Sequence, residues 1–204
     1  MAVTVIEKAT DHRLTTPAAV KAELQVTNAA NDAYLVTLIN QASDAIRTWC
    51  GRTFGLETVR ERVELDAAST SILPDRWPVT ELVSVTRSGV VVDVAATELD
   101  EDKGLLFRLD GDGNPVDWPA GCLTLTYKAG YVLPNQSGRT LPHDIERAAI
   151  ALIKSAWFAR NRDPLIRSEA VEGAGSTDYF SGTVSRLPPE VENLLIPHRK
   201  LMIG

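Results

Sequence analysis

Apolar side chains recur every three or four residues in four stretches of the chain, which is the spacing of amphipathic helices. We therefore predict helices near residues 16–25, 31–50, 142–160 and 188–196. Thr16 and Pro17 are suited to begin the first helix, and Pro142 to begin the third. Asn31 is expected to cap the second helix, and Gly51 follows it where a C-terminal glycine cap belongs.

Between residues 58 and 128 the period of the pattern changes from about 3.6 to two. Val59 and Val63 alternate there with Arg60 and Arg62, as in a strand with one buried face. Further apolar runs predict strands at 79–87, 90–94, 105–109 and 123–127, with a two-residue turn at Ser88-Gly89. Residues 110–121 are dense in turn formers and predict an exposed loop. We expect a meandering antiparallel sheet.

These patterns predict an α+β fold, a small helical bundle with an inserted antiparallel β-sheet region at about residues 58–128. We expect the first ordered element at Thr16. Residues 1–160 would form a compact body with its β insertion at about 56–131. Residues 161–185 are rich in Gly, Ser and charge, so residues 161–204 are interpreted as a linker and a C-terminal docking arm.

Composition and charge narrow the possible classes of protein. The chain has 204 residues, of which 44% are hydrophobic and 24% charged, which excludes a disordered or collagenous protein. The formal net charge of -6 argues against binding nucleic acid by broad phosphate neutralisation. With two cysteines and no apolar run long enough to span a bilayer, we expect a soluble protein made in a reducing cytoplasm, with no membrane partner.

Sequence motifs of common enzymes do not occur in the chain. It has no GxxxxGK[ST] loop, no GxGxxG after a strand, no GxSxG and no HExxH, and its three histidines lie in separate segments. His143 with Asp144 is better explained as polar residues in the first turn of a helix. Cys50 ends an apolar helix, where a small buried hydrophobic residue is the simpler interpretation.

A calcium loop is the most specific alternative among metal sites. Asp110, Asp112 and Asn114 match the first, third and fifth positions of such a loop. Pro115 stands where glycine is needed, and Gly121 stands where a bidentate glutamate is needed. The sequence therefore predicts a turn at this position. For the chain as a whole it predicts no metal site, no cofactor and no catalytic residue.

Seven motifs in a fixed order resemble the head-tail connector, or adaptor, proteins of tailed double-stranded DNA bacteriophages, prophages and gene transfer agents. The N-terminal motifs are TPxxVKxxL (16–24), DxYLxxLIxxAxxxI (32–46) and Gly-Arg-x-Phe (51–54). The others are a PVT and VSV strand (78–85), YxAGY (127–131), LPxDIxxAA (141–149) and LPPEVExLLxPxR (187–199). Each motif is weak alone, but together they extend over almost the whole chain.

The resemblance implies a virion structural protein without catalysis. Its copies would form a dodecameric ring under the portal protein, join the DNA-filled head to a stopper or tail-side neck protein, and let DNA pass without sequence-specific binding. It would be made in the bacterial cytoplasm and located in the neck of the virion. The implied ring-packing candidates are Tyr34, Leu38, Arg52 and Arg160.

The C-terminal helix is the candidate for docking on the portal, because a tethered apolar helix can order on binding. Its candidate residues are Leu187, Val191, Leu194, Leu195, Ile196, Arg199 and Lys200. The alternative is that this helix folds back on its own core. Two other functions stay open: a stopper or tail-completion protein, and a small hydrolase or metal-dependent enzyme whose site forms only in three dimensions.

Overall fold

The computed structural model describes residues 2–160, the backbone of residues 168–171 and 175–178, and residues 187–200. The chain forms two compact units. We call Met1–Asp11 with Phe54–Val132 the sheet unit, and His12–Thr53 with Leu133–Gly204 the helical unit. The sheet unit contains the predicted β insertion at about residues 56–131 and also includes residues 1–11, and the predicted arm falls in the helical unit.

The strands of the sheet unit follow one another along the chain as β1 (Ala2–Glu7), β2 (Glu57–Leu65), β3 (Val79–Arg87), β4 (Val90–Val92), β5 (Thr97–Asp100), β6 (Leu105–Leu109), β7 (Pro115–Val116) and β8 (Gly121–Ala129). Five of them form an antiparallel sheet in the order β1-β2-β8-β3-β4, and β5-β6-β7 form a second sheet. Alternation explains the burial in β2, where Val59 and Val63 are buried while Arg60 and Arg62 are exposed.

The expectation of a meandering sheet is wrong for the five-stranded sheet. β8 lies between β2 and β3 and pairs antiparallel with both, although it follows them in the chain. Leu123, Leu125 and Tyr127 alternate along β8 and are fully buried. The strand with the most deeply buried apolar face thus takes the central position, where neighbours cover it on both sides.

Two parts of the sheet unit differ from the prediction. The first ordered element is β1, an edge strand paired with β2, and not a helix at Thr16. The predicted exposed loop at 110–121 contains β7 and the fully buried Trp118, whose Nε1 donates to the Leu106 carbonyl at 3.1 Å. Local turn composition does not reveal that one large apolar ring returns to the core.

The helical unit contains α1 (Pro17–Leu24), α2 (Asp32–Cys50), α3 (His143–Ala159) and α4 (Pro189–Leu195), followed by a 3-10 turn at Ile196–His198. All four helices lie where the sequence predicts them. Thr16 caps α1 by accepting from Ala19 N at 3.2 Å, and Gly51 ends α2 with φ +66°. Asn31 precedes α2 without a side-chain cap bond, contrary to expectation.

The apolar stripes of α1, α2 and α3 form one core, which includes Val20, Leu35, Ile39, Ile153 and Trp157. Within the predicted linker, β9 (Ser168–Val171) and β10 (Gly175–Asp178) pair antiparallel. The rest of the linker and residues 201–204 lie outside the described residues. The α+β fold, with helices on either side of an inserted sheet region in the chain, is confirmed.

Candidate assembly surfaces

Residues 187–200, which we call the C-terminal segment, pack within the helical unit. α4 contacts α3, and it buries two apolar side chains one helical turn apart. Val191 is 2% exposed and Leu195 is fully buried, whereas Ile196 is 60% exposed. The apolar face of α4 is therefore occupied by its own chain.

Three polar or cationic contacts hold the end of the C-terminal segment. His198 Nε2 lies 2.6 Å from Asp144 Oδ2 at the start of α3. The Lys200 amide donates to the Cys50 carbonyl at 2.8 Å, at the end of α2. The Arg199 guanidinium lies over the Trp49 ring, 5.1 Å from its centroid. These contacts hold the C-terminal segment against α2 and α3, in addition to its apolar packing.

The portal-docking candidates consequently divide into three groups by their burial. Val191 and Leu195 are core residues of the helical unit, as the alternative interpretation of this helix proposed. Ile196 and Arg199 are exposed, while Leu187, Leu194 and Lys200 are partly buried. The segment is not a separate arm in this structure, because Val191 and Leu195 are buried within its own unit.

The end of α3 presents an aromatic and cationic patch, which we define as Tyr34, Trp157, Phe158 and Arg160. The Tyr34 and Trp157 ring centroids are 6.1 Å apart. The Arg160 guanidinium lies 3.9 Å from the Trp157 centroid, and its Nη1 donates to the Trp157 carbonyl at 2.9 Å. Phe158, the next residue along α3, is 67% exposed. We call this the α3 patch.

Two of the four ring-packing candidates, Tyr34 and Arg160, lie together in the α3 patch. Leu38 and Arg52 are each 6% exposed, so their side chains are largely covered within this chain. The sequence interpretation did not select Phe158. Its signal is that an aromatic residue falls directly after Trp157, outside the buried stripe of α3.

The residues considered for catalysis have structural partners. Asp144 contacts His198 rather than its neighbour His143. Cys50 is fully buried, and burial raises the pKa of its thiol to about 11. Such a thiol is protonated near neutral pH and is a poor nucleophile.

The would-be calcium loop is a turn organised by one carboxylate. Asp110 Oδ1 accepts from the amides of Asp112 and Asn114, both at 2.9 Å. These hydrogen bonds from the amides lower the pKa of Asp110.

Among the residues that the structure describes, no cluster of three or more His, Cys, Asp or Glu side chains could hold a metal ion. Nor does any helix in those parts of the chain have the length and apolar character needed to cross a membrane.

Solved structures with a similar fold come from gene transfer agent (GTA) particles. A chain in "Neck of empty GTA particle computed with C6 symmetry" is 18% identical with a TM-score of 0.52. A chain in "Neck of native GTA particle computed with C12 symmetry" is 17% identical, also with a TM-score of 0.52. Both alignments cover 100% of this chain and 98% of the other. At this identity the likeness establishes the fold.

The comparison of sequences identifies the family. No curated protein matches the chain. The model of the family described as "Head completion protein" matches residues 13–201, which include all four helices and seven of the eight strands of the sheet unit. The chain therefore belongs to the head completion protein family.

Proposed function

We propose that this chain is a non-catalytic structural subunit of the neck of a tailed bacteriophage or gene transfer agent particle. In this role it is a head-tail connector: its copies form a ring under the portal protein and join the filled head to the next neck or tail component. The observation that carries the proposal is the family match over residues 13–201. The likeness in fold to neck chains over the whole length supports it.

A ring of identical copies needs two different, complementary patches on each subunit. The α3 patch is suited to be one of them, because exposed aromatic and arginine side chains are typical of residues that dominate binding energy at interfaces. It contains the exposed Phe158, together with Tyr34 and Arg160, whose side chains lie against the Trp157 ring. The net charge of -6 also suits a ring through which DNA passes without adhering.

Contact with the portal is assigned to the C-terminal segment, in one of two ways. Docking through the apolar face of α4 requires that Val191 and Leu195 leave the helical unit, since both are buried there. Docking through the outer side of the segment uses Ile196, which is 60% exposed with the segment in place.

Particles assembled without this chain test the proposed function. We expect filled or leaking heads that lack tails, and tailed particles when the wild-type chain is restored. Electron microscopy of purified particles and antibody labelling of the neck give the readout. Normally tailed particles without this chain, or its absence from the neck of wild-type particles, would contradict the proposal.

A disulfide lock distinguishes the two ways of docking. A Cβ placed on Gly51 would lie 3.9 Å from the Lys200 Cβ, within the usual range of about 3.5–4.5 Å for a disulfide. The Gly51→Cys, Lys200→Cys double variant, in a Cys50→Ala background, would tie the segment to α2 when oxidised. Binding to purified portal rings is compared before and after reduction, with Gly51→Cys and Lys200→Cys alone as controls, because a side chain at Gly51 strains its backbone at φ +66°.

The lock gives opposite results for the two ways of docking. If α4 must leave its own unit, the oxidised variant fails to bind the portal and reduction restores binding. If the outer side docks in place, oxidation leaves binding unchanged and Ile196→Ser reduces it. Portal binding that survives oxidation, Ile196→Ser and removal of residues 187–204 would overturn the assignment of docking to this segment.

A further inference from the structure

The five-stranded sheet ends in two edge strands that carry no charged side chain over most of their length. β1 runs Ala-Val-Thr-Val-Ile before Glu7, and β4 is Val-Val-Val. Exposed edge strands usually carry lysine, proline or inward-pointing charge, which prevents pairing with other chains. Here Ile6 is 46%, Val90 70% and Val91 75% exposed. Both edges therefore have the character of strands that receive a partner.

The outer sides of both edges have unpaired backbone groups. In the described parts of the chain, β1 pairs only with β2 and β4 pairs only with β3. β4 is held firmly in this position by its turn. Ser88 and Gly89 have positive φ angles of 48° and 84°, and the Ser88 amide donates to the Cys122 carbonyl at 3.0 Å. The hairpin thus holds β4 and its exposed valines in a defined position.

The register shows that the two edges match in side-chain orientation. Val3 lies opposite Glu61, Glu61 opposite Leu125, Leu125 opposite Val85, and Val85 opposite Val92. These five positions lie on one face of the sheet, the face that is buried at Glu61, Leu125 and Val85. A β1 strand placed beside β4 can therefore continue the same apolar face.

The strand directions match as well. Each of the four pairings between β1 and β4 is antiparallel, so these two strands run in the same direction. A cyclic rotation by a small angle nearly preserves that direction. The β1 strand of a neighbouring copy would then run parallel to β4, which is an allowed ladder geometry.

Charged residues of both signs lie near each edge. Lys8 follows β1, and Arg60 lies opposite Thr4 on the adjacent strand. Both are exposed, and no ion pair is formed by either within the residues that the structure describes. Asp93 follows β4 directly, and Glu98 lies in β5; both are exposed. Because Glu7 lies in β1 and Arg87 lies opposite Val90, charge alone does not distinguish heterologous from self-matched pairing.

We propose that β4 of one copy pairs with β1 of the next copy in the ring, so that the sheets of neighbouring subunits join edge to edge. This inference rests on the proposed ring. Because sheets twist, such a row of sheets closes only if its strands tilt against the ring axis, as in a barrel. The partner of both exposed edges is thus a second copy of this chain.

Cysteine cross-linking in assembled particles tests the pairing. Thr4→Cys and Val91→Cys are combined in a Cys122→Ser background, as the only form of this chain in the particle. A short bismaleimide is used because it tolerates a register offset of one residue pair. We expect the monomer band to be replaced by a ladder of multimers. Each single variant alone should stay monomeric, and a mixture of the two should give dimers.

Two results would overturn the inference. One is the absence of cross-links in the double variant when particles contain the chain in the neck. The other is a dimer formed by either single variant alone, which indicates self-matched pairing. If the wild-type chain is missing from the neck, the proposed function fails first, so the two failures are distinguishable.

A charged residue substituted into β4 tests the same edge pairing by an independent measurement. Val91→Lys should reduce the amount of chain bound per portal, because a lysine on an edge strand opposes strand addition. Val83→Lys is the matched control, since Val83 is 44% exposed but lies on the internal strand β3. Circular dichroism of both purified variants checks that they fold. Equal binding of both variants would contradict the edge pairing.

Discussion

At the scale of single residues, burial decides the chemistry of Cys50. The thiol ends α2, and desolvation raises its pKa to about 11, although Arg52 and Arg199 act in the opposite direction. A thiol in an unfolded chain ionises near pH 8.5. Below that pH the thiol is neutral in both states, and its contribution to the free energy of unfolding is fully present. As pH rises from there to about 11, the thiol ionises in the unfolded chain before it does so in the folded protein, so this contribution is lost.

We predict that Cys50→Ala weakens the pH dependence of stability between pH 8.5 and 11. Wild-type stability should fall over this range by at most about 1.4 kcal/mol per pH unit on account of this group. Urea unfolding at several pH values, compared between wild type and variant, measures the difference in slope. An identical slope for the two proteins would show that Cys50 ionises equally in both states.

The buried pair of Glu61 and Tyr127 in the sheet unit is a second case. The Tyr127 hydroxyl donates to Glu61 Oε2 at 2.6 Å and accepts from the Arg76 amide at 3.2 Å. Glu61 is fully buried. Burial and the Glu61 carboxylate raise the pKa of Tyr127 well above its ordinary value. The hydroxyl therefore bonds one oxygen of a buried carboxylate and a loop amide together.

Tyr127→Phe should lower the free energy of unfolding by about 1–3 kcal/mol, because it leaves a buried carboxylate with one donor fewer. Tyr34→Phe is the matched control, since Tyr34 is 38% exposed whereas Tyr127 is fully buried. Urea denaturation of both variants gives the comparison. Equal midpoints for the two would contradict a stabilising role of the Tyr127 hydroxyl.

At the scale of elements, α4 depends on its tertiary contacts. It has seven residues, and a helix of that length is not stable alone in water. Val191 and Leu195 are four residues apart, so they lie on the same side of the helix and enter the core together. The helix is thus ordered by its packing on α3.

Leu195→Ala is expected to destabilise the protein by about 2–5 kcal/mol, the usual cost of a cavity at a buried leucine. Ile196→Ala, one residue further, should have an effect below about 0.5 kcal/mol because its side chain is 60% exposed. Thermal and urea unfolding of the two variants measure the contrast. Similar stabilities would mean that α4 is not docked on α3 in solution.

At the scale of the whole molecule, several large apolar side chains remain exposed in the part of the chain that the structure describes. The α3 patch and the two sheet edges hold several of the large apolar side chains that the fold leaves uncovered: Tyr34, Phe158, Ile6, Val90 and Val91. In a protein of the head completion family, such side chains are where contacts with other subunits are expected.

Phe158→Ser should leave the stability of the subunit within about 0.5 kcal/mol, because the ring is exposed, yet reduce ring formation on the portal. Leu73→Ser is the control, since Leu73 is also an exposed apolar residue, at 54%, and lies outside the α3 patch. Sedimentation velocity with purified portal rings measures bound copies. Unchanged binding of the Phe158 variant would remove the α3 patch from the proposed interface.

The sequence by itself determined the helices and most strands, because local spacing is enough for them: the stripe of α2, the Gly51 cap and the alternation in β2 all act within a few residues. It also indicated the family, through motifs in a fixed order. Tertiary structure decided which strands are neighbours, that Trp118 is buried, and that Val191 and Leu195 belong to the core. Those outcomes depend on contacts between residues far apart in the chain, and no local pattern encodes which distant surface a buried face will meet.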